Sequence, residues 1–146
     1  MSRPEIRRAA PSDAAEIARL SGELGYPLSI DEMRASLGRL LADARHFVAV
    51  ADEGSDRLLG WMHVEHRTSI QSADRGELIG LVVDGDARRR GTGRALVDAA
   101  ERWARSQGLT TLTVRSNVMR ELSHPFYEAL GYVREKTQHL YRKRFR

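Results

Sequence analysis

The stretch VVDGDARRRGTGRALVDAAERWAR, residues 82–105, contains the most informative pattern in this chain of 146 residues. It overlaps the run LIGLVV, residues 78–83, which is apolar on both faces and therefore indicates a central strand of a sheet. Further along, Leu96 and Trp103 lie on one helical face, and Gly108 ends the helical pattern. The sequence thus predicts a buried strand, a charged loop and an amphipathic helix, in that order.

The loop between this strand and this helix has the properties of an anion-binding site. Gly91 and Gly93 carry no Cβ, so backbone amides can approach a ligand closely, and the dipole of the following helix favours an anion such as pyrophosphate. The other residues of this predicted phosphate-binding loop are Arg88, Arg89, Arg90, Thr92 and Arg94. The spacing differs from the GxxxxGK[ST] and GxGxxG nucleotide-binding patterns. A glycine-containing turn with solvated arginines is the alternative interpretation.

Further elements are predicted on both sides of this unit. Strand patterns cover residues 5–8, 46–52, 58–68 and 109–114. Helical patterns cover residues 13–24, 30–41 and a segment after Pro125. A candidate closing pair of strands covers residues 132–134 and 138–141. Asp13 with Glu16, and Ser29 with Glu32, have the spacing of helix capping boxes. We therefore predict an α+β protein with a mixed sheet of six or seven strands and helices on both sides.

The composition excludes several classes of protein. A hydrophobic fraction of 41% and a charged fraction of 30% are typical of a globular domain, and the length predicts a single domain, residues 1–146. No apolar run approaches the roughly 20 residues that span a bilayer, and no apolar segment follows the charged N-terminus as in a secretory signal. We therefore expect no membrane contact and a cytoplasmic location. The absence of cysteine excludes disulfides, thiolate metal ligands and a cysteine nucleophile.

Two motifs resemble those of the Gcn5-related N-acetyltransferase (GNAT) family. Arg88, Gly91 and Gly93 fill the pattern (Gln or Arg)-x-x-Gly-x-(Gly or Ala) that follows the fourth strand of that family. Downstream, Asn117 and FYEALGY, residues 126–132, are similar to the family's Asn followed by FYxxxGF. The resemblance covers nearly the whole chain and implies a mostly antiparallel sheet with splayed central strands and about four helices. One departure is the sequence Asp-Gly-Asp ahead of the arginines, where many members have a proline-containing turn.

The resemblance implies that acetyl-coenzyme A is the acyl donor. Leu81, Val82 and Val83 would line its pantetheine arm between the splayed strands, and a backbone amide near Leu81 or Val82 would polarise the thioester carbonyl. Residues 88–94 would bind the pyrophosphate, and Asn117 would contact the cofactor from the other side. The implied reaction is direct transfer of the acetyl group to a primary amine of a small molecule or peptide. Homodimers are common in the family.

Two side chains are candidates for the proton transfers. A primary ammonium, with a pKa of about 10.4, must lose a proton before it can attack the thioester. Glu77 resembles the family's catalytic glutamate in its distance before the loop and is the candidate general base, directly or through a water; a strand-end carboxylate in contact with arginine is the alternative. Tyr127 matches the family's tyrosine that would hydrogen-bond or protonate the leaving thiolate, with a core aromatic as the alternative.

The acceptor cleft has weaker candidates. Trp61, His63 and Glu65 alternate on one face of the third strand, and Tyr26 lies in a segment that often shapes acceptor specificity in the family, although it also fits a simple turn. His63 and Glu65 are side chains of metal-binding type. Their neighbour His66 points to the other side of the strand, however, and no third ligand has clear spacing, so we predict no metal.

Two other classes of function are alternatives. A protein of the same fold that binds the acyl donor as a sensor would keep the loop without turnover. A nucleic-acid-binding module would use the net charge of +4 and the C-terminal sequence YRKRFR, but no helix-turn-helix or zinc-finger spacing supports it. The sequence does not identify the acceptor amine, because one fold serves many substrates.

Overall fold

The computed structural model describes residues 4–23, 25, 28–85, 91–115 and 123–146. Its elements are β1 (Glu5–Arg8), a 3-10 turn (Pro11–Asp13), α1 (Ala14–Glu23), α2 (Ile30–Leu41), β2 (His46–Asp52), β3 (Leu58–Arg67), β4 (Arg75–Val83), α3 (Thr92–Ser106), β5 (Leu112–Val114) and α4 (Ser123–Ala129). One compact unit, Met1–Arg115, contains β1–β5 and α1–α3, and a second, Ser116–Arg146, contains α4. No helix within the described ranges is both long and apolar enough to cross a bilayer.

The sheet of the first unit has the strand order β1-β2-β3-β4-β5 and is antiparallel except for the parallel pair β4–β5. The β3–β4 ladder contains a bulge: His63 lies opposite Gly80 and Val64 opposite Leu78, which leaves Ile79 as the extra residue. β5 pairs with β4 at residues 76–78, before this bulge. Beyond it, no described residue of β5 pairs with β4, and the splaying of the central strands stays a prediction.

The predicted α+β class is confirmed, but the predicted count of six or seven strands is wrong. Five strands are present in the described part of the chain, and residues 132–146 form none. The side chains of Val133, Leu140 and Tyr141 are 83%, 84% and 89% exposed. These residues therefore bury little apolar surface, and an isolated strand pair without a buried face is marginal in water.

The two predicted capping boxes have different outcomes. The box before α2 is confirmed, because the amide of Glu32 donates to Oγ of Ser29 at 3.0 Å and the amide of Ser29 donates to Oε1 of Glu32 at 3.2 Å. Asp13 instead accepts from the amide of Ala10 at 2.8 Å, at the end of the 3-10 turn. The carboxylate of Glu16 does not accept a hydrogen bond from the amide of Asp13, because it binds the guanidinium of Arg19 at 2.9 Å.

One face of the sheet packs against α1 and α2. Ile17, Leu20 and Leu37 of these helices share a core with Val50 and Val82 of the strands. Trp61 of β3 lies opposite Val50 and shares its face, and so do His63 and Glu65, because side chains alternate along a strand. This is the face on which the acceptor cleft was predicted.

The other face of the sheet packs against α3. Phe47 of β2 stacks on Trp103 with ring centroids 5.9 Å apart and 8° between the planes. Gly60 of β3 permits a close approach, since a Cβ there would lie 2.6 Å from the carbonyl oxygen of Val82 and 3.1 Å from Cδ1 of Leu96. These contacts fix the start of α3 with respect to the end of β4.

The second unit contains an aromatic cluster around Tyr127. Its ring makes edge contacts with Phe126 and Tyr132, at centroid distances of 5.1 Å and 6.0 Å. Gly131 follows α4 with φ of 93°, a left-handed conformation that favours glycine. The motif FYEALGY thus forms one local aromatic group.

Candidate active site

The first turn of α3 has the geometry of an anion site. Gly91 is the N-cap at φ 79°, a conformation in which a residue with a Cβ would be strained, and no described side chain caps the helix. The amides of the first turn are therefore left for another partner. Thr92 is 1% exposed, and its hydroxyl oxygen has no hydrogen-bond partner in the described part of the chain. A ligand group at this helix start would satisfy that buried oxygen, which is costly to leave unpaired.

The predicted cofactor-binding side chains fall into two groups. Gly91, Thr92, Gly93 and Arg94 lie together at the start of α3, with Arg94 exposed. Arg88, Arg89, Arg90 and Asn117 lie outside the described residues, as does Tyr26 of the predicted acceptor region.

Leu81, Val82 and Val83 lie in β4 beyond the bulge. Val82 is 6% exposed and belongs to the core under α1 and α2, while Leu81 and Val83 are half-buried. The feature that these three residues share is their backbone. The N–H and C=O groups that β4 directs away from β3 at this point are not paired with described residues of β5. An extended ligand with amide groups can pair with such an edge in the manner of an added strand.

Asp84 anchors the point where the loop leaves β4. It is 3% exposed, and its Oδ2 lies 2.7 Å from Nη2 of Arg57 and 3.4 Å from Nη1 of Arg19. Its amide donates to the carbonyl of Leu59 at 2.8 Å. Ion pairs therefore hold Asp84, the first residue of the Asp-Gly-Asp sequence, in place.

Glu77 lies in β4 before the bulge and is 5% exposed. Its Oε2 lies 3.4 Å from Nη1 of Arg67, and its Oε1 lies 3.3 Å from Nε of Arg115 and 3.7 Å from Nη2 of Arg75. The hydroxyl of Thr113 donates to Oε1 at 3.4 Å. Both oxygens thus have partners before a substrate binds. The contact with arginine considered from the sequence is present, and a catalytic role for Glu77 stays a prediction.

Glu65 lies opposite Glu77 across β3 and β4, and it contacts His46, which in turn contacts His63. Nε2 of His46 lies 3.4 Å from Oε2 of Glu65 and 3.8 Å from Oδ2 of Asp43. The other ring nitrogen of His46, Nδ1, lies 2.9 Å from Nε2 of His63. Burial, with a smaller effect from the charge that His46 carries when protonated, lowers the pKa of His63 to about 4. His63 is therefore neutral at neutral pH.

Trp61 shares this face and covers the bulge region. A Cβ at Gly80 would lie 2.7 Å from the Trp61 ring, so the glycine allows the indole to lie flat against β4. Nε1 of Trp61 is buried and has no hydrogen-bond partner among the described residues. Of the three side chains predicted to share this face, the structure links His63 and Glu65 through His46 and places Trp61 against the apolar core.

His46 is the site residue that sequence reasoning missed. The hairpin of β2 and β3 was predicted, and its register places His46 opposite Glu65. That register is offset by an irregularity between Ala51 and Asp52, so counting back from the turn does not give the pairing. Among the described residues, no group of three or more histidine, aspartate and glutamate side chains is placed to bind a metal.

Comparison with known proteins identifies the family. A sequence model of the Acetyltransferase (GNAT) family matches residues 14–132. The chain belongs to this family. An aminoglycoside N(6')-acetyltransferase type 1 from Stenotrophomonas maltophilia is 33% identical over 135 residues, 90% of this chain and 87% of that protein. A protein of the same name from Klebsiella aerogenes is 28% identical over 150 residues, 97% of each chain.

The solved structures show the same fold. The aminoglycoside N-acetyltransferase AAC(6')-Iy, in complex with the bisubstrate analogue CoA-S-monomethyl-acetylneamine, has a TM-score of 0.86 at 21% identity and matches 99% of this chain and 100% of that one. At this identity the likeness shows the fold alone.

Membership of the GNAT family also gives the class of reaction. The protein is an acetyl-CoA-dependent N-acetyltransferase that acts on an amine. Acetyl-CoA supplies the acetyl group as a reactive thioester. Among the described residues, the helix start at Gly91 without a side-chain cap, the Thr92 hydroxyl without a partner and the β4 edge that β5 does not pair with beyond the bulge all fit its binding.

Proposed function

We propose that this N-acetyltransferase acts on an amino sugar, with the 6′-amino group of an aminoglycoside as its acceptor. One observation carries the proposal: two relatives named for that activity align with 90% and 97% of this chain. Such alignments include the strands β2–β4, whose α1–α2 face is the predicted acceptor face. A cytoplasmic site of action, where acetyl-CoA is made, is part of the proposal.

Carboxylates on the predicted acceptor side suit a cationic acceptor. Asp43 and Glu65 both lie within 4 Å of His46, and their side chains are 49% and 24% exposed. The net charge of +4 repels a polycation at long range, but nearby carboxylates have more effect at contact distance. We therefore expect Asp43 and Glu65 to contribute to acceptor affinity.

The proposed roles of the other residues follow the chemistry of acyl transfer. Residues 88–94 and Asn117 would bind the donor, and a backbone amide near Leu81 or Val82 would donate to the thioester oxygen as negative charge develops there. Glu77 would accept a proton from the attacking nitrogen, directly or through a water. Tyr127 would hydrogen-bond or protonate the leaving thiolate, whose pKa resembles the thiol value of about 8.5.

The decisive experiment compares two aminoglycosides that differ only in an amine or a hydroxyl at the 6′ position. Release of free coenzyme A thiol is measured with each, at equal concentrations of acetyl-CoA and enzyme, together with peptide amines and polyamines. We expect release with the 6′-amine and only the hydrolytic background with the 6′-hydroxyl.

The other possible outcomes would support a different acceptor or a different function. Equal release with both compounds would place acetylation at another amine of the sugar. Release only with peptides or polyamines would overturn the aminoglycoside proposal. Binding of acetyl-CoA without release for any amine would favour the sensor.

A further inference from the structure

The two histidines between β2 and β3 form a continuous line with Glu65. Nε2 of His63 lies 2.9 Å from Nδ1 of His46, and Nε2 of His46 lies 3.4 Å from Oε2 of Glu65. Oε1 of Glu65 lies 3.8 Å from Nη1 of Arg67, so the carboxylate offers one oxygen to each neighbour. Every ring nitrogen in the line except Nδ1 of His63 thus has a contact among the described residues.

The carboxylates fix where the protons lie. A carboxylate only accepts hydrogen bonds, so the neutral His46 ring carries its proton on Nε2, which faces Glu65 and Asp43. Its Nδ1 is then an acceptor, and His63 must donate to it through Nε2. A neutral imidazole with its proton on Nε2 has a lone pair on Nδ1. His63 can therefore accept a proton at Nδ1.

The line ends at solvent. The side chains of His46 and Glu65 are 17% and 24% exposed, and Glu65 lines a shallow pocket. This pocket has a volume of about 410 Å³, and its other lining residues are Arg45, His66, Arg67 and Thr68. A proton that reaches Glu65 can pass to water in this pocket. Glu77, at 7% side-chain exposure and with guanidinium groups at both oxygens, has no comparable exit.

The N-acetylation of an ammonium group releases two protons from nitrogen. One must leave before attack, and the other leaves the nitrogen after attack, when the thiolate departs as a thiol. Only the first is released to solvent in each turnover. We propose that His63, His46 and Glu65 form a relay that carries this first proton from the acceptor ammonium to solvent, which leaves to Glu77 only the proton that the nitrogen loses as it attacks. The relay rests on the amine acetylation of this family and not on the aminoglycoside.

The bonds in the relay balance. An N–H bond of the ammonium breaks as Nδ1–H forms on His63, and Nε2–H of His63 breaks as Nδ1–H forms on His46. Nε2–H of His46 then breaks as Oε2–H forms on Glu65, which returns the proton to water. Both rings are then protonated on Nδ1. After the product leaves, the reverse transfers restore the starting tautomers: Glu65 passes a proton from water to Nε2 of His46, Nδ1–H of His46 passes to Nε2 of His63, and Nδ1–H of His63 passes to water in the emptied site. Because burial lowers the pKa of His63 to about 4, its imidazolium is a high-energy species, and the proton must pass to His46 as it arrives. His63 touches the substrate in this scheme, and His46 and Glu65 act through it.

The groups around the pair leave few other proton acceptors. The charged groups that contact the pair, or that lie opposite or next to Glu65, are Asp43, Arg67 and Glu77. Arg67 has no lone pair that can take up a proton. From α2, the side chains packed against the shared core are Met33, Leu40 and Leu41, which are apolar.

Substitutions of His46 separate proton transfer from positioning. In His46→Asn the side-chain carbonyl can still accept from Nε2 of His63, but it cannot pass a proton on. In His46→Ala both functions are lost. We expect kcat at pH 7 to fall by about tenfold or more in both variants and in His63→Gln. The acceptor KM should change little, and His139→Gln, an exposed histidine outside the relay, should retain the wild-type rate.

The pH profile distinguishes a relay from a structural role. As the pH approaches the pKa of the acceptor amine, more of the amine is already neutral in solution. The loss of kcat in the relay variants, relative to wild type, should therefore become smaller. A wild-type rate for His46→Asn, or a deficit that stays constant with pH, would overturn the relay. Any amine that the enzyme acetylates serves for this assay.

The tautomers provide a test that needs no acceptor at all. Imidazole ¹⁵N shifts in the free enzyme near pH 7 should show a protonated Nε2 and a bare Nδ1 on both His46 and His63. Protonated Nδ1 on both rings would reverse the line and overturn the relay. That result would leave the proposed aminoglycoside acceptor untouched.

Discussion

Glu65 and Glu77 face each other across β3 and β4, yet their surroundings differ. The side chain of Glu77 is 7% exposed and contacts three guanidinium groups and a hydroxyl, whereas that of Glu65 is 24% exposed and contacts His46 and one arginine. The two neighbouring carboxylates thus differ in exposure and in partners. We propose that the inward one, Glu77, acts on bound substrate and that the outward one, Glu65, exchanges protons with solvent.

The largest expected effect is that of Glu77→Gln, which removes the inward carboxylate. If Glu77 accepts the proton of the attacking nitrogen, kcat should fall by about 100-fold, equivalent to about 2.7 kcal/mol in the activation barrier. Acetyl-CoA affinity, measured by calorimetry, should stay near the wild-type value. A variant that folds, binds acetyl-CoA and keeps its full rate would reduce Glu77 to an ion-pair partner of its arginines.

The second prediction concerns stability in acid. The pKa of His63 is about 4 in the folded protein and about 6.5 when unfolded, so between these values the unfolded chain binds a proton that the folded one does not. The free energy of unfolding should therefore fall as pH drops from 6.5 towards 4, with His63 responsible for about 2 kcal/mol at pH 5. Urea denaturation of wild type and His63→Gln at pH 7 and 5 measures this. Equal losses in both proteins would show that other groups cause the acid sensitivity.

The third prediction concerns the loss of the outward carboxylate, that of Glu65. Glu65→Gln keeps the shape of the side chain but cannot take up a proton, so kcat at pH 7 should fall by about tenfold, less than for Glu77→Gln. The loss should narrow at pH 9, where more of the amine is already neutral, while Glu77→Gln should keep most of its loss. Matching pH profiles for the two variants would remove the distinction between the carboxylates.

The smallest expected effect lies at the bulge beside these residues. Gly80→Ala places a Cβ 2.7 Å from the Trp61 ring, which must shift, and we expect a loss of about 1 kcal/mol in unfolding free energy. Gly38→Ala is the matched control, because its Cβ meets nothing within 4 Å in the exposed part of α2 and should stabilise the helix slightly. An unchanged melting temperature for Gly80→Ala would mean that the indole moves freely, and the acceptor KM would then show whether Trp61 lines the cleft.

Local patterns predicted the elements that local contacts stabilise. The Ser29–Glu32 box follows from two side chains within one helical turn, and the start of α3 follows from the left-handed backbone conformation of Gly91. Residues 132–134 and 138–141 had strand-like composition but form no strand. Strand formation needs a partner and a buried face, and neither is encoded in so short a segment.

The sequence by itself determined the family motifs, the glycine at the start of α3 and the alternation that places Trp61, His63 and Glu65 on one face. Each of these depends on neighbours within a few residues or on a fixed geometric period. Only the tertiary structure decided that His46 lies between His63 and Glu65, and that Glu65 faces Glu77. These pairings depend on register, and register is set by strands distant in the chain, an irregularity in β2 and a bulge in β4, so a shift of one residue would turn every side chain to the other face.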